Sequence, residues 1–204
     1  VLVTVPDAAI RSVAVQLAPG PVVLHCSGAL GLDVLAPHTR AGSLHPLMTF
    51  PGPEVAVPLL EGVPAAVAGH PDALLVARRL AHRLGLVPLD VPGDRRLYHA
   101  AAVLAGNFAT VLLAEAGRAL QAAGVAPEAA RRALLPLAME SLKNACHDPA
   151  RALTGPVARG DHATLDGHRV ALREAGLSDV IPLVDALESH GQALLSRAGN
   201  QQTS

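Results

Sequence analysis

Residues 1–28, VLVTVPDAAIRSVAVQLAPGPVVLHCSG, hold the pattern on which the fold turns. Val1 to Val5 is a short β-branched run closed by Pro6-Asp7, and Ala8 to Ala18 then carries Ile10, Val13, Ala14 and Leu17 at helical spacing. Pro19-Gly20 breaks the chain, and Pro21 to His25 is a second apolar strand that runs into Cys26-Ser27-Gly28. The unit reads strand, helix, strand. Small residues at the second strand end would let a ligand approach the backbone. Because Val1 already lies inside what reads as a buried strand, further sequence upstream is expected.

Outward from this unit the alternation continues. Asp33 to Ala36 reads as a helical turn, Ala41 to His45 and Val63 to Gly69 as strands, and Pro71 to Leu84 as a helix that Gly85 stops. Strands alternating with helices predict an α/β lobe, largely parallel and covered on both faces, over residues 1–92. From Pro92-Gly93 the pattern turns helical. Asp94 to Ala123 predicts one long Ala-rich helix, and Pro127 to about Asn144 a second that Pro136 should kink. Leu153 to Gly160 reads as a Gly/Pro loop. Helices follow over Asp161 to Ala175 and Ser178 to Arg197, with Ser178 as N-cap, before a polar, frayed tail from Gly199. Residues 93–204 thus form an all-helical lobe for substrate and dimerisation. The long helix is apolar on nearly all sides, and a lobe of this size leaves part of it uncovered, which predicts a homodimer.

Composition narrows the function. Half of the 204 residues are hydrophobic, 1% are aromatic, and 16 Lys and Arg face 17 Asp and Glu. Mean hydropathy is +0.36, which excludes intrinsic disorder. A near-neutral charge with Phe50, Tyr98 and Phe108 as the aromatics leaves neither a basic footprint nor a stacking platform for nucleic acid. Pro, Gly, Arg or His interrupts each apolar run before it reaches the length of a membrane span, so no membrane partner is expected. Cys26 and Cys146 lie far apart without a framework of further cysteines, which suits a reducing, cytoplasmic setting.

Candidate chemistry gathers at five places. Val5-Pro6-Asp7 and Cys26-Ser27-Gly28 end two strands, where ligands of open α/β sheets sit, and are the candidate cofactor-binding residues; a plain helix start and a plain turn explain the same letters. His45, in His-Pro-Leu-Met-Thr-Phe, stands on a strand exit and can shuttle a proton near neutral pH. His99 and Asn107 share a side of the long helix with Gly106 between them. Thr154 and Arg159 belong to the loop Ala-Leu-Thr-Gly-Pro-Val-Ala-Arg-Gly-Asp, in which Arg159 can clamp an anionic substrate group or merely pair with Asp161. His162, Asp166 and His168 fail as a metal set because His168 points roughly 200° from Asp166 on a helix.

Taken in order, V-P-D, H-C-S-G, L-H-P-L-M-T-F, Y-H-A-A-A-V-L-A-G-N-F and A-L-T-G-P-V-A-R-G-D resemble the Rossmann-like proteins whose C-terminal half is the domain of unknown function 2520, over about residues 1–175. The resemblance implies a dinucleotide-binding lobe and a helical lobe similar to those of 6-phosphogluconate, prephenate and pyrroline-5-carboxylate dehydrogenases or reductases. It also implies an NADP-dependent oxidoreductase acting on a small carbonyl, imine or hydroxy substrate in an interlobe cleft, with a helical lobe of a kind that commonly dimerises. The first strand, the glycine-rich turn and the ribose-reading strand of such proteins have no counterpart in this sequence, so NAD is not separated from NADP. Lys143 is the one lysine and lies far from the start of the long helix, which leaves His99 or His45 as acid/base and Asn107 as positioner. A nucleotide-binding or dimeric scaffold without turnover is the alternative, and a helical interaction module that has lost nucleotide binding is a third reading.

Overall fold

The computed structural model describes residues 1–52, 54 and 59–201. The chain divides into two compact units, Val1–Phe108 and Ala109–Ser204. In the first unit, five strands stand side by side in sequence order: β1 (Leu2–Val3), β2 (Val23–His25), β3 (Ala41–Pro46), β4 (Pro64–Gly69) and β5 (Val87–Asp90). The α/β class expected from the alternation is the one observed. β1, β2 and β3 run parallel, and β4 pairs with β5 in parallel, but β3 and β4 are antiparallel. The largely parallel sheet is therefore a mixed one. A parallel return needs a crossover, usually a helix, and the described residues between Pro46 and Pro64 contain none. Instead Leu47 N–H donates to Pro64 C=O at 2.8 Å as the chain turns back.

Both sheet faces are covered. Helix α1 (Asp7–Ala14) and a 3₁₀ turn (Leu32–Leu35) lay Ile10, Ala14, Val34 and Leu35 against Val3, Val23 and Ala41. Helix α2 (Pro71–Arg83) lays Ala73, Ala77 and Ala81 against Leu24, Leu44, Ala65 and Val67 on the other face. Alanines at helical spacing let α2 approach the sheet closely, and Gly42 and Gly69 complete the fit. A β-carbon on Gly42 would lie 2.7 Å from Leu24 Cδ2 and 2.9 Å from the Ala68 carbonyl oxygen. β5, in Val-Pro-Leu-Asp, is a strand that the sequence pattern does not reveal, because Pro88 interrupts a run already short.

After β5, Asp94 caps α3 (Arg95–Val103) by accepting the Arg96 N–H at 2.8 Å. A π-helical turn, Leu104–Phe108, follows, and then α4 (Ala109–Ala122). The helical segment Arg95–Ala122 has 28 residues and an 18-residue window of mean hydropathy 1.6, with none of that window buried. By length and composition it could cross a membrane, contrary to the expectation that every apolar run is interrupted. Within one helix, His99, Gly106 and a single Glu115 do not end an apolar run.

The second unit continues with α5 (Pro127–Ala145), which runs through Pro136, then α6 (Pro149–Ala152), α7 (Gly155–Arg159), α8 (His162–Glu174) and α9 (Ile181–Gln201). The expected Gly/Pro loop, Leu153 to Gly160, in fact holds the helix α7, with α6 just before it; Asp148 caps α6, and Pro149 and Pro156 pre-set the first turns of the two helices. Ser178 is not a helix cap; it opens a 3₁₀ turn, Ser178–Val180, ahead of α9. Gly199 and Asn200 remain helical, while the last three residues of the expected tail lie outside the described residues. Arg169 ties α8 to α9 through Asp185 at 2.8 Å and through Glu188, and Arg118 ties α4 to Asp179 at 2.8 Å.

The tight fit at Gly42 sets a test. Gly42→Ala should lower stability by about 1–3 kcal/mol, the usual cost of overpacking, read as an earlier urea midpoint with an unchanged slope.

Candidate functional site

Two strand ends are tied together first. Asp7, the opening residue of α1, accepts the Ser27 hydroxyl proton at 2.7 Å. Ser27 Oγ in turn accepts the N–H groups of Ala29 at 3.2 Å and Leu30 at 3.0 Å, which folds the chain after β2 into a tight turn. Of the candidate cofactor residues, Val5, Pro6 and Asp7 thus sit beside Cys26, Ser27 and Gly28. The side chains of Asp7 and Ser27 are already committed to each other, so a ligand here would meet backbone. Cys26 is a half-buried free thiol that burial pushes up.

His25 ends β2 and is wholly buried. Its Nδ1 accepts the Ser27 N–H at 3.1 Å, which fixes the proton of the neutral ring on Nε2. Burial, and after it the Arg95 charge, bring its pKa down to about 4, against opposing contributions from the Gly31 backbone, Asp7 and Asp33.

Arg95 opens α3 and turns back to the same loop, donating from Nη2 to the Ser27 carbonyl at 3.0 Å. Its Cζ stands 5.7 Å from the centre of the Tyr98 ring. The neighbouring carboxylate, Asp94, is occupied by Arg96, and Arg95 Nε and Nη1 are covered without a hydrogen-bond partner among the described residues.

Against this turn lies a cavity of about 650 Å³ in the first unit, lined by His45, Leu47, Met48, Thr49, Tyr98, His99 and Asn107 among others. His45 Nδ1 lies 2.8 Å from Tyr98 Oη. The two rings meet edge-on with centres 5.6 Å apart, and the His99 ring stands 6.3 Å from His45. Gly28 faces both histidines: a β-carbon there would be 2.8 Å from His45 Nε2 and 2.8 Å from His99 Cδ2. Burial first, then Arg95 and His99, push the His45 pKa down against Asp7, while burial pushes the Tyr98 hydroxyl up against Arg95. At neutral pH the ring is uncharged and the phenol protonated.

Asn107 reaches the same cavity because of the π turn. On a straight α-helix, eight residues at 3.6 per turn leave it roughly 80° from His99; the wider turn, with i→i+5 bonds, rotates less per residue and brings it back. Residues distant in sequence, His45, His99, Asn107 and Gly28, are therefore brought together. Thr154 and Arg159 stand at the N-cap and the last residue of α7 in the second unit. Arg159 makes no ion pair with Asp161 within 4.0 Å among the described residues. Asp161 caps α8 through Thr164, whose hydrogen bonds, and after them the Arg159 charge, lower the Asp161 pKa. Tyr98 and Arg95 are site residues that sequence reasoning did not nominate. Their one signal was position, adjacent to His99 on the first turns of the long helix.

The family model for a domain of unknown function, DUF2520, matches residues 63–182, more than half of the chain. The chain belongs to this family. The matched segment holds Tyr98, His99, Asn107, Thr154 and Arg159. Among solved structures, protein TM1727 from Thermotoga maritima is similar at 26% identity with a TM-score of 0.75, covering 97% of this chain and 78% of that one. A candidate NADP oxidoreductase from Bacteroides fragilis, BF3122, is similar at 19% identity with a TM-score of 0.75, covering 94% of this chain and 74% of that one. No curated protein matches the sequence. The likeness to TM1727 extends the resemblance in fold beyond the family segment to the strand ends and His45.

The buried histidine gives a pH signature. Unfolded, His25 binds a proton near pH 6.5; folded, it binds one only near 4, so stability is full above 6.5 and falls as pH drops toward 4. The loss should reach up to about 3 kcal/mol. His25→Asn, which keeps an acceptor for the Ser27 N–H, should flatten urea-unfolding stability over that window relative to the parent protein.

Proposed function

We propose that the protein is an NADP-dependent oxidoreductase that moves a hydride to or from a small carbonyl, imine or hydroxy compound, with NAD as the alternative nucleotide. The observation that carries this reading is the convergence of His45 and His99 on Gly28 at the end of β2, beside a cavity. The likeness in fold to a protein named a candidate NADP oxidoreductase supports it. Backbone groups of Val5–Pro6 and Cys26–Gly28 would hold the nicotinamide end, and the bound nucleotide supplies the hydride. The chain's own part is to orient the substrate and to move one proton. His45 and His99 are the available acid/base rings and Asn107 the hydrogen-bonding positioner. Thr154 and Arg159 are proposed as substrate contacts and the helical unit as similar to that of 6-phosphogluconate dehydrogenase, in a cytoplasmic setting.

Partnership with a second copy rests on the second unit itself. Among its described residues Ala130, Leu165, Leu177 and Val180 are the buried hydrophobics, whereas Leu112, Leu135, Leu137, Met139 and Leu142 are exposed. Such a surface is what a homodimer would cover, and the same observation favours a dimeric scaffold as the second reading. Light scattering at micromolar concentration should give twice the chain mass; a monomer would count against both.

Turnover separates the two readings. With a strand and glycine-rich turn joined ahead of Val1, NADPH titration should show stoichiometric binding, where the residues of this sequence alone bind weakly or not at all, and a panel of small keto acids, aldehydes and imines should show substrate-dependent NADPH consumption. His99→Ala and His45→Ala should each lower kcat by roughly 10² to 10⁴ with melting temperature little changed. Arg159→Ala should instead raise KM roughly ten- to a hundredfold, the cost of one charge-assisted contact. Binding without consumption across the panel favours the scaffold.

A further inference from the structure

We infer that Tyr98 acts through His45 as one acid/base unit: its hydroxyl donates to Nδ1, holds the ring in the Nε2–H form, and resupplies the proton that Nε2 gives to substrate. The proton transfer rests on the hydride-transfer reading above, whereas the tautomer follows from the hydrogen bond and the acidity of its two partners and does not depend on that reading.

A phenol and a neutral imidazole can share a hydrogen bond in either direction, and their relative acidity and basicity decide between them. A phenol O–H is a stronger acid than a neutral imidazole N–H, and an imidazole nitrogen is a stronger base than a phenol oxygen. The one hydrogen bond described for Tyr98 Oη is to His45 Nδ1, at 2.8 Å. The O–H···N direction is therefore the favoured one: Oη–H donates and Nδ1 accepts. The proton of His45 is then on Nε2, the atom that stands 2.8 Å from where a β-carbon of residue 28 would be. Glycine at 28 is what leaves that N–H room at the strand end. His99 differs, because its Cδ2 edge, not a ring nitrogen, faces Gly28.

Arg95 completes the unit. Its guanidinium lies beside the Tyr98 ring and has no carboxylate partner among the described residues. A cation there disfavours an imidazolium at His45 and favours negative charge on the phenol. Both effects drive the proton outward. When a carbonyl carbon gains a hydride from reduced nicotinamide, the C=O π bond breaks and the oxygen must gain one proton. His45 Nε2 gives it, Nδ1 takes the proton from Tyr98 Oη, and the phenolate beside Arg95 recovers one from water. Oxidation of an alcohol runs the same path in reverse. The charged and titratable groups that face His45 are Arg95, Tyr98 and His99 from α3 and Asp7 from α1, with His25 on the neighbouring strand.

Long-range ¹H–¹⁵N spectra of the histidine-labelled full chain read the tautomer without any nucleotide. His45, assigned by loss of its signals in His45→Ala, should show a pyridine-type Nδ1 and a pyrrole-type Nε2. Tyr98→Phe should lose that preference, and Arg95→Gln should keep it while raising the His45 pKa. An Nδ1–H form in the parent protein, or an unchanged spectrum in Tyr98→Phe, overturns the inference. In turnover, Tyr98→Phe should lower kcat roughly 10²-fold with KM little moved and shift the pH profile; parent-like kinetics and profile overturn the relay. If no carbonyl compound is reduced by the parent protein, the hydride-transfer reading fails and the tautomer spectra still decide the hydrogen-bond assignment.

Discussion

The absence of a side chain at residue 28 is the constraint around which the first unit is arranged. Two imidazoles, one from the exit of β3 and one from α3, occupy the space that a β-carbon would take. They reach it because the turn after β2 is held from two sides, by Asp7 at the start of α1 and by Arg95 at the start of α3, both bonded to Ser27. Ser27 is nearly buried and its hydroxyl makes three hydrogen bonds, so the turn has little freedom to yield. Any larger residue at 28 would displace the histidines, the turn, or both.

Charge in this cluster is unbalanced. Among the described residues no carboxylate lines the cavity, and Asp7 is engaged by Ser27. Burial and the Arg95 cation act in the same direction on His25 and His45, and both rings are held uncharged at neutral pH. Their uses differ by exposure. His25 is sealed beneath the turn and serves the fold, whereas His45 opens onto the cavity with a phenol behind it. A buried neutral ring costs stability in acid; a cavity-facing one offers a proton donor and acceptor without a fixed charge.

Small residues carry the packing throughout. With so few aromatics, the sheet and α2 meet through Ala73, Ala77 and Ala81, and contact energy comes from close approach over many small surfaces. The second unit follows another course. Few of its apolar side chains are buried, and Arg118 and Arg169 each bridge two elements through ion pairs, which are worth little when solvated. Its exposed leucines are the larger reserve of binding energy, available only against another surface.

Local pattern was enough to place most elements. The first strand, though it closes at Val3 and not at Val5, the strand ending at His25, the helix over Pro71–Arg83 and the small residues at 26–28 were legible because periodicity, Pro-Gly breaks and helix starts are properties of neighbouring letters. So were His45, His99 and Asn107 as polar residues in apolar surroundings. Tertiary structure decided what neighbours do not encode. The antiparallel return into β4, the pairing of β5 and the π turn before Ala109 depend on hydrogen bonds between strands or on a helix adjusting its pitch. Tyr98 and Arg95 became site residues only when α3 brought them to a turn nearly seventy positions earlier in the chain. A side chain's hydrogen-bond partner and burial are set by the folded neighbourhood, so the identity of a residue can be read from sequence while its proton and its charge cannot.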